Sequence, residues 1–429
     1  MGKWEMVRLG DVLSDTIIGE WGEECKDAYG VKVLRTTNFT NKGVIDYSNV
    51  VVRDIPATKI VKKKLLPYDI ILEKSGGSDN QPVGRVVYFD KSDDIYLCNN
   101  FTQILRVNSE IVNSKYIFYC LLNLHRIGVT ELLQNKTTGI RNLQVKSYMA
   151  LEIPLPPLPI QQKIADVLDR ASALIEKRKA QIEKLDLLVK SHFIEMFGDP
   201  VKNPMGWEVR RLGEVFEVRS SKRVYQSEQT NNGVPFLRVS DLTSRIINGV
   251  DSCNLHIAEG LYDTYRKAGH VPKTDDVLVT SRGTLGLCYI VRDTDKFYFQ
   301  DGMISWLSKN DVKVGSYYIM CLFCTGDIKR QIERASAGST VGYLSLANLE
   351  SLSIMFPPYL LQTQFSAFVE RVEAQKVKMK QGLELMELEY KSLMQKCFNG
   401  ETSPVSSPSQ LPQSATLTAP SKRGALCID

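Results

Sequence analysis

This 429-residue sequence predicts two tandem α+β globular domains, separated by two long helices that pair as an antiparallel coiled coil. Three observations lead there. The chain repeats itself at an offset of about 200 residues. Each copy opens on short β-type runs broken by Gly, Asn and Asp. Each copy closes on a stretch whose apolar positions alternate four and three apart.

The repeat comes first because the rest depends on it. Trp4–Val12 (WEMVRLGDV) returns as Trp207–Val215 (WEVRRLGEV). Val33–Asn38 returns as Phe236–Asp241, and Pro67–Leu72 returns as Pro272–Val279 with two extra residues. Ser114–Ile117 matches Ser316–Ile319, and Pro156-Pro157 with Gln161 matches Pro357-Pro358 with Gln362. A chance alignment would not hold one offset through all of these blocks, so duplication is the simple reading. The predicted segments are 1–155 and 199–356 for the globular domains, 156–198 and 357–400 for the helices, and a Ser/Pro/Thr/Gln-rich tail, 401–429, expected to be disordered.

In the globular parts, runs such as DIILEKSGG, GRVVYFD and FTQILRV, and DVLVTSRG, GLCYIV and MISWLS in the second copy, read as strands. Short helical stretches such as SKYIFYCLLNLHRI follow them, which gives the α+β class. The helical seam runs through Ile164, Leu168, Ala171, Ile175, Arg178, Ile182, Leu185, Val189, His192 and Met196. Its repeat is Phe365, Val369, Val372, Lys376, Met379, Leu383, Met386, Tyr390, Leu393 and Cys397, with Gly382 alone interrupting. One seam cannot bury itself, so each helix is the natural mate of the other. At about 1.5 Å per residue such a rod spans roughly 55 Å. Arg178 and Lys376 place charge on the seam. The simpler expectation is buried stems with heads in solvent; the alternative is that they set register.

Composition narrows the function. Hydrophobic residues make up 43% and charged residues 24%, an ordinary balance for a soluble globular protein. No stretch approaches the roughly 18 apolar residues of a membrane span, and the N-terminus lacks a signal-peptide core, so a cytoplasmic protein is expected. Nine irregularly spaced cysteines fit reduced thiols, and Cys321 and Cys324 in YYIMCLFC read as packing. The net charge of +5 suits DNA binding without requiring it.

Catalytic motifs do not fit. A methyltransferase acting on an exocyclic amine needs Asn or Asp before Pro-Pro-aromatic; here Phe356 stands there, before Pro357-Pro358-Tyr359. A metal-dependent nuclease would want an acid and then Glu-x-Lys; Asp69 precedes Glu73-Lys74, but the spacing residue is missing, so the lysine falls on the opposite strand face. There is no phosphate loop of the GxxxxGK[ST] kind. No metal site, cofactor site or catalytic residue is therefore assigned.

Sequence readout needs loops rich in Arg, Lys, Asn, Gln, Ser and Thr. In the first domain the candidates are Arg35, Thr37 and Asn38, and the Gly-rich turn Lys74, Ser75, Gly76, Gly77, Ser78, Asn80 and Gln81 with Arg85. Asn100 follows a further strand, and Lys136, Thr138 and Arg141 close the domain. Lys63, in a run of three lysines, suits phosphate. In the second domain they are Arg238, Ser240, Ser281, Arg282, Thr284, Ser339 and Thr340. The bland readings are ordinary turn chemistry for the Gly and Asn loops and a solvated face for the lysines. The divergence of Lys74–Gln81 from Ser281–Thr284 on matched frameworks suits two domains reading different sequences.

These residues resemble the specificity (S) subunit of type I restriction-modification systems. The resemblance covers residues 1 to about 400 and is carried by Trp4–Val12, by Ile71–Ser78 (ILEKSGGS), and by Pro154–Ala165 (PLPPLPIQQKIA) before the long helix. The second copy keeps Trp207–Gly213, Pro357-Pro358, Leu361-Gln362 and the ending Ser392–Phe398, and departs modestly at Thr363-Gln364-Phe365. It implies two target recognition domains, each reading half of a bipartite double-stranded DNA site, with the helical rod setting the unread spacer. It also implies docking of two methyltransferase subunits and, in the full enzyme, two restriction/translocase subunits. S-adenosylmethionine, ATP and Mg2+ would belong to those partners, and this subunit would be non-catalytic. The alternative from a different class is a coiled-coil interaction scaffold, which would show no preference among duplexes.

Overall fold

The computed structural model describes residues 4–25, 30–137, 140–309, 313–336 and 342–398; the expected disorder of 401–429 lies outside them. Both heptad stretches form one unbroken 40-residue helix each, Leu158–Phe197 and Tyr359–Phe398. Each begins directly after its Pro-Pro pair. The first stops at Gly198, which takes the left-handed conformation (φ 78°) that ends helices readily. The seam is where the spacing puts it. Ile164, Leu168, Ile175, Ile182 and Val189 are buried, as are Phe365, Val369, Val372, Tyr390 and Cys397. No described helix is long and apolar enough to cross a membrane.

The chain divides into two compact units, and the division runs through both long helices rather than at their ends. One unit is Met1–Glu176 with the stretch that begins at Glu384; the other includes Lys177–Leu383. Each unit therefore contains part of both helices, packed antiparallel. In the second unit Gly382 lies against the Arg178 guanidinium, Lys376 bonds to Asp186, and the Phe365 ring meets Phe193. Numbers fall on one helix as they rise on the other. In the first unit Val167, Ala171 and Leu174 share a groove with Met386, Tyr390 and Leu393.

The charges on the seam correct one expectation. Lys376 does not reach solvent: it is 4% exposed, and its Nζ bonds to Asp186 and, at 2.9 Å, to Glu373, itself 3% exposed. A buried lysine with a fixed partner on the facing helix favours the register reading. Arg178 is half-buried, and a Cβ at Gly382 would lie 3.3 Å from its Nη1, so the glycine leaves room for the guanidinium.

The globular parts repeat one framework. In the first, an antiparallel sheet has the order Leu13–Ile18, Thr102–Val107, Ile70–Glu73, Val86–Tyr88; in the second the order is Glu217–Arg219, Ile304–Ser308, Val277–Thr280, Cys288–Ile290. A second sheet in each ends on a parallel pair: Val31–Leu34 with Tyr96–Cys98, and Val234–Leu237 with Tyr298–Phe299. The central strands Ile70–Glu73 and Val277–Thr280 are buried along their whole length, which is why they read as continuous apolar runs rather than alternating ones. The first unit adds a three-stranded sheet of Gln134–Thr137, Ile140–Leu143 and Ser75–Gly77. Among the described residues of the second unit its counterpart is the single bridge Arg282–Tyr343.

Each long helix is joined to a globular part at both ends by matched contacts. Gln161, 1% exposed, accepts the Asn113 N–H (2.7 Å) and donates to the Pro156 carbonyl (2.8 Å). Gln362, fully buried, accepts the Gly315 N–H (2.9 Å) and donates to the Pro357 carbonyl (2.7 Å). At the far ends, Phe197 packs on Tyr318 (ring centroids 4.8 Å apart) and Phe398 on Tyr116 (5.5 Å). Both tyrosines donate to carbonyls of the strand that leads into a long helix, Tyr116 to Pro154 and Tyr318 to Met355. Gln161→Ala or Gln362→Ala strands a backbone N–H, part-buried at Asn113 and buried at Gly315, together with a buried carbonyl, at about 1–3 kcal/mol. Thermal melting is expected to fall by a few to about ten degrees. An unchanged melting temperature would mean that these glutamines do not fasten the joint.

Candidate nucleic-acid interface

The strand framework gathers several of the candidate residues at one end of the first domain's central sheet. Strand Ile70–Glu73 ends into Lys74, whose N–H donates to the Phe101 carbonyl (2.9 Å) and whose own carbonyl accepts Leu143 N–H (2.8 Å). Strand Ser75–Gly77 then pairs with Arg141 and Asn142, and the Ser75 hydroxyl donates to the Asn142 side-chain oxygen. A tight turn follows, closed by backbone bonds between Ser78 and Gln81 (2.9 and 3.2 Å). Gly76 takes φ 94°, a conformation costly to other residues. At Gly77 a Cβ would sit 2.7 Å from the Gln81 carbonyl, so both glycines are required by the turn. The result is a surface of exposed Gly76, Ser78, Asn80, Gln81 and Asn100 with half-buried Lys74, Ser75 and Arg141.

Other candidates are already engaged inside the fold. Arg85, 8% exposed, forms a two-pronged pair with Glu73 (2.7 Å each) and donates to the carbonyls of Phe39 and Thr36. Its guanidinium staples two segments together and does not face outward, which corrects its place among the candidates. Asn38, 3% exposed, is likewise a brace: it accepts the Arg35 N–H and donates to the carbonyls of Asp46 and Asn49. Arg35 is half-buried and donates to Asn49, whereas Thr37 beside it is exposed. Lys63 bonds Glu20 at 2.8 Å, and that bond, with Lys59, holds the Glu20 carboxyl below its usual pKa. Arg141 pairs with Asp79 at 3.0 Å, but the aspartate is 63% exposed, so the pair is weak and open to exchange. The side chain of Lys136, and Thr138, Ser339 and Thr340, lie outside the described residues.

The second domain builds the equivalent end differently. Ser281, 1% exposed, shares a 2.6 Å hydroxyl bond with Ser305 and turns away from the surface. Its N–H donates to the Met303 carbonyl, the same role that Phe101 plays in the first domain. Arg282 and Thr284 are exposed beside it, and Arg282 bridges to Tyr343. Arg238 and Ser240, both exposed, open the helix Val239–Asn248; the Arg238 N–H is capped by Asp241. Asn142, in the stretch Lys136–Asn142 that closes the first domain, belongs to these surfaces; Phe101, Met303 and Tyr343 complete them and are missed by reading loops alone. Each lies on a strand, a tight turn or a bridge, and only the pairing register reveals its place.

The acids that resemble half of a nuclease site are consumed by arginines: Asp69 bonds Arg106 (2.8 Å) and Glu73 bonds Arg85. Among the described residues no group of three or more His, Cys, Asp or Glu could hold a metal ion. Burial pushes the Cys321 thiol well above its ordinary pKa, as packing predicts.

Comparison with known proteins agrees with the repeat. The model of the type I restriction modification DNA specificity domain matches twice, over residues 1–184 and 204–389. The chain is 24% identical over 387 residues to the putative type I restriction enzyme MjaX specificity subunit of Methanocaldococcus jannaschii, covering 86% of each. It is 23% identical over 296 residues to the putative specificity subunit S.HindORF215P of Haemophilus influenzae, covering 68% of this chain and 72% of that one. Its fold resembles the crystallised type I S subunit from M. genitalium with a TM-score of 0.54 at 17% identity, over 92% of this chain and 96% of that one. With two matched domains that together span most of its length, the chain belongs to the type I restriction-modification DNA specificity family.

Proposed function

We propose that this chain reads duplex DNA as two separate half-sites, one by each of the domains 1–155 and 199–356, without catalysing a reaction itself. The observation that carries the reading is the contrast between frame and tip. The two domains share sheet order and pairing direction, yet one tip carries Lys74–Gln81 with Asn100 and Arg141 while the other carries Arg282 and Thr284 beside Met303 and Tyr343. A common scaffold with different donors and acceptors is what reading two different words requires. The helices 156–198 and 357–400 act as the spacer that fixes the distance between the words. Leu187, Leu188, Leu385 and Leu388, 47–61% exposed on those helices, offer apolar surface on which methyltransferase subunits dock. S-adenosylmethionine, ATP and Mg2+ act in the two methyltransferase and two restriction/translocase partners, and the assembly works in the cytoplasm.

Exchange of residues 1–155 for those of a relative with another target tests the reading. Mapping of methylated adenines, or selection of bound duplexes, is expected to show one half-site replaced and the other kept. Changes in both halves would end the modular reading. Equal binding to all duplexes would leave a scaffold.

A further inference from the structure

We propose that Phe101 and its counterpart Met303 are apolar base readers, each seated against the C5 methyl of a thymine in the major groove. The inference rests on the DNA-reading function above and names side chains within the same surfaces.

Position is the first argument. The carbonyl of Phe101 accepts the N–H of Lys74 (2.9 Å) and of Ser75 (3.2 Å), and the carbonyl of Met303 accepts the N–H of Ser281 (2.9 Å). Both residues immediately precede the inner strands that pair with Ile70–Glu73 and Val277–Thr280, at Thr102 and Ile304 respectively. The two domains therefore place a large apolar side chain at one shared point, beside the loop with the most varied polar chemistry. The identities differ, as the loops do.

Exposure is the second. Phe101 is 47% exposed, whereas Ile104 and Leu105 on the strand that follows are fully buried. The core does not need this ring. It stands over Gly76, where a Cβ would come 3.8 Å from its Cδ2, so the glycine leaves the ring's flank open. Met303 is half-buried, with its sulfur 3.9 Å from Arg282 Nη1. Each apolar group is thus edged by polar side chains, Asn100 and Lys74 in one case and Arg282 in the other.

Chemistry supplies the third. Among base edges in the major groove, only thymine carries a methyl group, and hydrogen-bonding side chains cannot grip it. An exposed ring, or the open part of a half-buried thioether, among polar loops loses contact with water when it meets that methyl. Removing a single methyl from such a contact is expected to weaken binding about fourfold.

The test uses the full-length chain. Selection from a random duplex library defines both half-sites, and each thymine is then replaced singly by deoxyuridine, which lacks only the methyl. The wild-type chain is expected to lose about fourfold at one thymine of the first half-site. Phe101→Ala should bind weaker at the thymine duplex and show no further loss there with deoxyuridine, while Phe101→Leu restores part of the methyl sensitivity. Met303→Ala should behave likewise in the second half-site only. The inference is overturned if Phe101→Ala keeps the full deoxyuridine penalty, or if no thymine is methyl-sensitive in the wild type. A wedge inserted between base steps would give that second result, with bent DNA. Failure to select any preferred duplex would instead overturn DNA reading itself, a result distinct from either of these.

Discussion

A chain lacking residues 171–177 and 383–389 is expected to abandon its native target for one with a shorter spacer. The two deleted segments are one heptad each. Both overlap the stretch where Val167–Ile175 share a groove with Met386–Lys396, so the cut removes turns from both helices. Seven residues are two turns of a 3.5-residue repeat, so the seam closes again with the same faces inward. The Lys376–Glu373–Asp186 cluster and both glutamine joints are left in place. Each helix shortens by about 10 Å. At about 3.4 Å per base pair, the preferred spacer contracts by up to about three pairs. On the original site one of the two half-sites falls out of reach. With each mispaired position costing about 1–3 kcal/mol, affinity for that site should drop on the order of a thousandfold. Selected duplexes, or methylated adenines mapped in cells carrying the variant, report the new spacing. An unchanged spacer would mean that the helices do not set the distance.

The parts of the molecule governed by periodicity were legible in the sequence, and the parts governed by partner choice were not. The helix bounds Leu158–Phe197 and Tyr359–Phe398 follow from a four-three seam that holds through both stretches and from Pro-Pro pairs that start it. The duplicated sheets follow from matched blocks. The compact units that divide both helices at mid-length do not, because a seam records that a helix has a mate and not which globular part shares its core. At the tips the failures have one cause. Arg85, Asn38 and Ser281 have the composition of reading residues, but their partners Glu73, Asp46 and Ser305 lie 12, 8 and 24 residues away, and only the fold brings them together. Phe101 escaped notice for the opposite reason: it opens the apolar run FTQILRV, and nothing local separates an exposed ring from its buried neighbours.

Lys376→Met is expected to destabilise the second unit by about 3–5 kcal/mol, because it leaves a buried carboxylate without its counter-charge. Glu373 is 4% exposed at its side chain, whereas Asp186 is 33% exposed and can turn to water. Burial already raises the Glu373 pKa, with Lys376 opposing that rise and Asp186 adding to it. Burial also works against the Lys376 charge, yet Glu373 and Asp186 together raise its pKa above the ordinary value. Taking the lysine away removes what opposes the rise at Glu373. Its folded pKa then stands further above the unfolded value of about 4.3. A carboxyl raised in the folded state lends stability that is fully present below the unfolded pKa and is lost as pH climbs through the folded one. The variant's deficit should therefore be small near pH 4 and grow toward neutrality, as read by denaturant midpoints at several pH values. Glu373→Leu combined with Lys376→Met should recover most of the loss, since an apolar pair of similar size needs no counter-charge. If the cluster exists to hold the facing helices in one register, the double variant regains stability but tolerates more than one spacer length. Full stability with an unrelaxed spacer would assign register to the apolar seam alone.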